Sequence, residues 1–344
     1  MPAWINKYYI LDMRPDNSLV RYLVERGHTV FVISWVNPTE EHADKSFEDY
    51  MTDGPLAALE AIEQATGERD VNVLGFCIGG ILVTATLAWL AAKGDNRIKS
   101  ATTLASMIDF THVGEIGVFI DKNRVCALEA HMEKTGYLEN YHLQDMFSML
   151  RENDLVWSTH VETYLKGQKP PAFDLLYWNA DSTRLPRDML LWYLREIYLD
   201  NKLRRAGGLS LAGTPLDVSK IETPMFVLAT KEDHIAPWQS VYPTTGLTDG
   251  PVEFVLGASG HIAGVINPPK DNLKYGYWLS DAQPDSPDAW FDEAEYQKAS
   301  WWEHWTDWLD RQGGTEQVPA RKPGKGKLKV IEDAPGSYVI GRTC

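Results

Sequence analysis

The sequence is short of cysteine. Three in 344 residues, Cys77, Cys126 and Cys344, give no even disulfide framework. No signal peptide opens the chain, so a reducing, cytoplasmic setting is the expectation. It is also short of positive charge. Thirty-three Lys and Arg stand against 48 Asp and Glu, a net charge of −15. That balance excludes a general nucleic-acid surface and a broad attraction to anionic membrane. Long apolar runs are missing too. The longest, residues 79–92, contains threonines and is too short to span a bilayer. No internal repeat is visible. The hydrophobic fraction of 44% is that of an ordinary globular chain, long enough for one large core carrying an insertion.

The stretch that organises the rest is Val71-Asn72-Val73-Leu74-Gly75-Phe76-Cys77-Ile78-Gly79-Gly80. Residues 71–76 read as a buried strand and 79–92 as a helix, with Cys77 at the apex of the turn between them. This is the Gly-x-nucleophile-x-Gly elbow with a thiol as nucleophile. A helix N-terminus at that point favours a thiolate. The bland alternative is a Gly-rich turn around an inert buried Cys.

The first residues, 2–10, read as a loop opening onto a helix or turn, with nothing strand-like ahead of them, so the chain enters mid-fold. A helix is predicted over 18–27 and a β-branched, aromatic strand over 28–35. A helix over 47–66 carries Leu56, Leu59, Ile62 and Ala65 at helical spacing, with Gly67 as its stop. The elbow follows, then a strand over 98–105. Helix and strand alternate as in a parallel sheet with crossover helices. From about 109 to 221 the alternation stops. Aromatic-rich helices are expected at 142–150, 154–165 and 189–199. This reads as an inserted helical cap (109–221) on a core formed by 1–108 and 222–344. Leu155, Val156, Trp157, Phe173, Leu176, Tyr177 and Trp178 suggest closure of that cap over Cys77. Strands resume at 224–230 and 252–256. Trp301, Trp305 and Trp308 share one face of a late helix expected against the sheet. The tail 321–329 carries five basic residues among glycines and reads as a solvated linker; 337–340 is expected to add a short edge element.

Two residues complete a constellation. Asp233 stands just past the strand at 224–230, and His261 sits 28 residues further on, in a small-residue loop past the next strand. Sheets of this kind place catalytic groups at strand C-terminal ends. Nucleophile, acid, base in that chain order is the α/β-hydrolase order. Individually, Asp233 has a helix-capping reading and His261 that of a polar loop residue. His234 reads as a neighbour of the site or a surface residue. In the functional reading His261 takes the thiol proton. Asp233 holds its tautomer or assists a second hydroxyl. The Ile78 N–H is the first oxyanion donor, and the second is expected near Trp4-Ile5-Asn6. A Cys nucleophile suits acyl transfer from a thioester. The acyl-enzyme is still a thioester and retains the drive to acylate an alcohol, in a pocket kept poor in water.

Five stretches resemble the polyhydroxyalkanoate synthases, most closely those of class I. They are the elbow Gly-Phe-Cys-Ile-Gly-Gly, the segment from PAWINKYYI to WVNP, PPAFDLLYWNADSTRLP at 170–186, KEDHIAPW at 231–238 and GASGHIAGVINPP at 257–269. The resemblance spans essentially the whole chain. It implies an α/β-hydrolase fold with a cap over the site, and a homodimer. It implies polymerisation of short (R)-3-hydroxyacyl-CoA, such as 3-hydroxybutyryl-CoA, with release of CoA, and association with the polymer granule. It assigns nucleophile, acid and base to Cys77, Asp233 and His261, and His234 also matches a family position. No cofactor is implied, since coenzyme A is part of the substrate and a product. The family's long upstream region, tied to dimer stability, granule association and full activity, is absent from this sequence, which reads as a catalytic domain. Two competing readings remain at this point: a Cys-dependent hydrolase (thioesterase or intracellular polyester depolymerase) on the same fold, and a non-catalytic granule-binding scaffold.

Overall fold

The computed structural model describes residues 1–150, 157, 160–169, 174–313 and 317–341. Its centre is a six-stranded sheet. Strands β1 (Val71–Phe76), β2 (Ile98–Leu104), β3 (Met225–Thr230) and β4 (Val252–Gly257) are parallel, and β5 (Tyr277–Leu279) and β6 (Glu295–Gln297) continue it antiparallel. The spatial order is β6-β5-β4-β3-β2-β1, so the strand leading to Cys77 lies at one edge. β3 is buried along its whole length, as expected of a parallel strand covered on both faces. The sequence reading missed β5 and β6, whose three-residue length carries almost no period-2 signal.

One face is covered by α1 (Ile78–Lys93), nearly all of it buried, with α2 (Ala57–Thr66) beside it. Gly67, at φ 78°, ends α2 as predicted. The other face holds α3 (Trp301–Gly313). Trp301, Trp302, Trp305 and Trp308 are buried there, and the Trp305 indole donates to Thr102 Oγ1 of β2 at 2.8 Å. The helix predicted over 18–27 is present as Leu19–Glu25, capped by the Ser18 hydroxyl accepting from the Arg21 N–H.

Three expectations are corrected. Residues 28–35 form no strand and belong to no sheet. Their β-branched content reports a pleated, half-buried surface, and a cavity of about 1100 Å³ separates them from β1. Residues Ser337–Ile340 form a helical turn and not an edge element. The carbonyls of Val339 and Gly341 accept from the buried Lys7 ammonium at 2.7 Å each, and Asp181 pairs with the same ammonium at 2.8 Å. Trp157 and Tyr177 face solvent, so neither closes over Cys77, whereas Trp178 is buried. Leu155, Val156 and Phe173 lie outside the described residues, as does Cys344.

Among the described residues, segment 109–221 contributes no strand to the large sheet. It supplies helices at Lys122–Met132, Asn140–Leu150, Asp174–Ala180 and Arg187–Trp192, the last running on as a wider turn to Leu199. The basic tail is largely exposed and is tied down by Arg321 to Glu68 and by the Lys327 N–H to the Gln64 carbonyl. No helix among the described residues is long and apolar enough to cross a membrane.

Candidate active site

The site is assembled at the C-terminal end of the parallel strands. Register sets it: Phe76 pairs with Leu104, Leu104 with Leu228, and Gly257 with Thr230. The chain therefore leaves β1, β3 and β4 at one level, and Cys77, Asp233 and His261 follow within four residues of their strands.

Cys77 adopts φ 54°, ψ −126° between β1 and α1. A residue with a Cβ in this region stores about 1–3 kcal/mol of strain, tolerated where the surroundings over-determine it. Here its N–H donates to the Leu104 carbonyl at 2.9 Å, and its carbonyl accepts from the Gly80 N–H. The glycines permit the close approach. A Cβ at Gly75 would meet Gly80 Cα at 2.5 Å, and one at Gly79 would meet the Met1 carbonyl oxygen at 2.5 Å. Cys77 is half-buried. Ile78 begins α1, so its N–H belongs to the first turn, which has no intrahelical acceptor.

His261 and Asp233 are joined by a 2.7 Å bond from Nδ1 to Oδ2. Both are enclosed, with side-chain exposures of 6% and 0%. Asp233 is filled on both oxygens: Oδ1 accepts the N–H groups of Ile235 and Ala236 at 2.9 Å, and Oδ2 also accepts the Thr230 hydroxyl at 3.1 Å. With Nδ1 engaged, Nε2 is the ring nitrogen left to face the Cys77 sulfur, whose charge acts on the imidazole. Burial disfavours a charged imidazole. The Asp233 carboxylate outweighs it, the sulfur adds to the effect, and His261 is held well above the ordinary histidine range. Burial likewise opposes the Asp233 charge, but His261 and the two N–H groups hold its carboxyl below the usual range.

Cys77 and His261 open into a cavity of about 740 Å³. Its wall is mainly apolar and includes Ile116, Phe119, Leu128, Met146 and Trp178. His234 lines it, and so do Ala3, Ile5 and Asn6 of the N-terminal loop, where a second oxyanion donor is expected. Two wall residues escaped the sequence reading. Tyr193 and Tyr198 stand T-shaped, ring centroids 5.3 Å apart. Burial raises both hydroxyls above the ordinary tyrosine range, and the negative charge available at Cys77 adds to the rise. Their signal was two hydroxyl-bearing rings five apart in an aromatic-rich helix, easily taken for core.

Residues 6–268 match the alpha/beta hydrolase fold family. The chain belongs to that family. Within it, the chain is 50% identical over 338 residues to "Poly(3-hydroxyalkanoate) polymerase subunit PhaC" of Rhizobium meliloti (strain 1021), covering 98% of this chain and 55% of that one. It is 48% identical over 339 residues to "Poly(3-hydroxyalkanoate) polymerase" of Methylorubrum extorquens, covering 98% and 56%. The chain thus spans about half the length of the curated relatives it matches. Among solved structures of the alpha/beta hydrolase fold it is similar to a monoacylglycerol lipase of Paleococcus ferrophilus, at TM-score 0.46 and 14% identity over 76% of this chain and 84% of that one.

Proposed function

We propose that this chain carries the catalytic site of an acyltransferase that polymerises short (R)-3-hydroxyacyl-CoA, with 3-hydroxybutyryl-CoA as type substrate, into polyhydroxyalkanoate. The observation that carries the reading is that a thiol elbow and an imidazole, the latter bonded to a carboxylate at 2.7 Å, line one apolar cavity. The likeness to polymerases supports the choice of acyl group.

The steps follow from the proton inventory. Nε2 of His261 takes the proton of the Cys77 thiol, and the Asp233 carboxylate on Nδ1 favours the imidazolium so formed. The thiolate attacks the thioester carbon, and the Ile78 N–H stabilises the developing oxyanion. The CoA thiolate departs with the proton from Nε2. The neutral imidazole then takes the proton of a 3-hydroxyl, whose oxygen attacks the Cys77 thioester. Ester forms, the Cys77 thiolate leaves, and the imidazolium is restored. Asp233 orients His261 throughout, since both of its oxygens are occupied and none of its side chain is exposed. His234, beside Asp233, is a wall residue of the acyl pocket. No cofactor enters this scheme; coenzyme A arrives in the substrate and leaves as product. Segment 109–221 acts as the cap that restricts water. A homodimer at the surface of a polymer granule in the cytoplasm is the assembly this reading calls for.

The test is incubation with (R)-3-hydroxybutyryl-CoA while free CoA and the acyl group are followed together. CoA release with polymer supports the reading. Release of CoA with free 3-hydroxybutyrate assigns a hydrolase instead, and equal release by Cys77→Ala rejects a Cys77 mechanism.

A further inference from the structure

Ordinary helical winding would keep Tyr193 and Tyr198 apart, since positions five apart on an α-helix point about 140° away from each other. The segment Tyr193–Leu199 is wound wider, and the Asp200 N–H reaches back five residues to the Arg195 carbonyl at 3.0 Å. Such winding sets a residue nearly over the one five before it. It is rare and recurs at functional sites. Here it brings the two rings to 5.3 Å and places both in the wall that also holds Cys77 and His261.

Both rings are packed. Phe110 stands edge-on to Tyr198 with centroids 4.8 Å apart, and Phe47 lies parallel to Tyr193 at 6.4 Å. Tyr193 is buried and Tyr198 half-buried. Negative charge at Cys77 acts on both hydroxyls, and that of Asp233 acts on Tyr198 as well. Tyr198 is therefore within electrostatic reach of the sulfur and of the carboxylate behind His261. Burial keeps both phenols protonated at neutral pH, so each offers an O–H that does not ionise.

The second half of the proposed reaction needs such a group. An aliphatic hydroxyl has one proton and two lone pairs. Its proton goes to Nε2 of His261 and one lone pair attacks the Cys77 thioester. The other lone pair needs a donor, and Ile116, Phe119 and Leu128 of the wall offer none. We propose, on the acyltransferase reading, that the Tyr198 hydroxyl holds the 3-hydroxyl oxygen of the acceptor between Cys77 and His261, with Tyr193 fixing the position of Tyr198. The new O–C bond forms as the C–S bond breaks, the acceptor proton passes to His261, and Tyr198 keeps its own. The first half, in which CoA is the leaving group, makes no use of it.

Tyr198→Phe removes one oxygen and keeps the ring against Phe110. Rapid quenching with (R)-3-hydroxybutyryl-CoA, and with methyl (R)-3-hydroxybutyrate or 2-mercaptoethanol as acceptor, separates the steps. The first CoA released is expected within about two-fold of the native chain, and transfer to mercaptoethanol likewise. Transfer to the methyl ester's hydroxyl is expected to fall at least about ten-fold. Tyr193→Phe is expected to fall in the same step by less. Unchanged transfer to the hydroxyl in Tyr198→Phe would overturn the proposal. An equal loss in first CoA release would overturn it too, assigning Tyr198 to the oxyanion, and an equal loss with mercaptoethanol would assign a structural role. A native chain that releases CoA and only free acid would overturn the acyltransferase reading itself, and the proposal with it, before any variant is compared.

Discussion

At Cys77 the backbone and the charge pattern serve the same end. Cys77 is held at φ 54° at the turn, and the His261–Asp233 pair is enclosed; in the proposed reaction that pair is the proton carrier. Replacing Cys77 by Ala is expected to lower CoA release by about 10³-fold or more. The same change at Cys126, which is exposed, is expected to stay within about two-fold in the same assay. The pair also sets a pH dependence. Asp233 is depressed, so its contribution is present above the ordinary carboxylate range and is lost as pH falls through its lowered pKa. His261 is raised, so its contribution is full below about pH 6.5 and is lost as pH rises through its raised pKa. The thermal-stability gap between the native chain and Asp233→Asn should therefore be widest in mildly acid solution and narrow toward alkaline pH. A gap that widens steadily with pH would contradict the assignment of a charged pair.

At the scale of elements, the elbow was legible because its requirements are local. Two glycines, an apolar strand and an apolar helix name the turn, and the Cβ distances at Gly75 and Gly79 show why no other residue fits. Gly75→Ala forces a Cβ to 2.5 Å from Gly80 Cα. It is expected to cost about 1–3 kcal/mol in urea unfolding and to reduce activity more than stability, by displacing Cys77. Asp233 and His261 were legible for a second reason, since each follows the end of a predicted strand. Residues 28–35 were misread because a strand is a relation between neighbours, and propensity reports only one side of it. The short β5 and β6 were missed because pairing, β5 with β4 and β6 with β5, and not their own pattern, makes them strands. Tyr193 and Tyr198 were missed because helical spacing does not reveal that a face lines a cavity.

For the molecule as a whole, the late tryptophans decide how the sheet is closed. Trp305 joins α3 to β2 of the sheet through Thr102, which is buried. Trp305→Phe keeps much of the apolar contact and removes the donor. A loss of about 1–2 kcal/mol is expected in denaturant unfolding, with little change in slope. An unchanged midpoint would show that the bond contributes nothing net. The net charge of −15 makes any attraction for a polyanionic thioester local to the cavity mouth. The central claim is that Cys77 carries the acyl group between donor and acceptor. The most direct measurement is rapid quenching of the chain with (R)-3-hydroxybutyryl-CoA, followed by peptide mapping of the acyl adduct. The account predicts one hydroxylamine-labile adduct, on the peptide holding Cys77, appearing with the first CoA released and absent from Cys77→Ala. Release of CoA with no adduct on that peptide, or with the adduct on another residue, would contradict it.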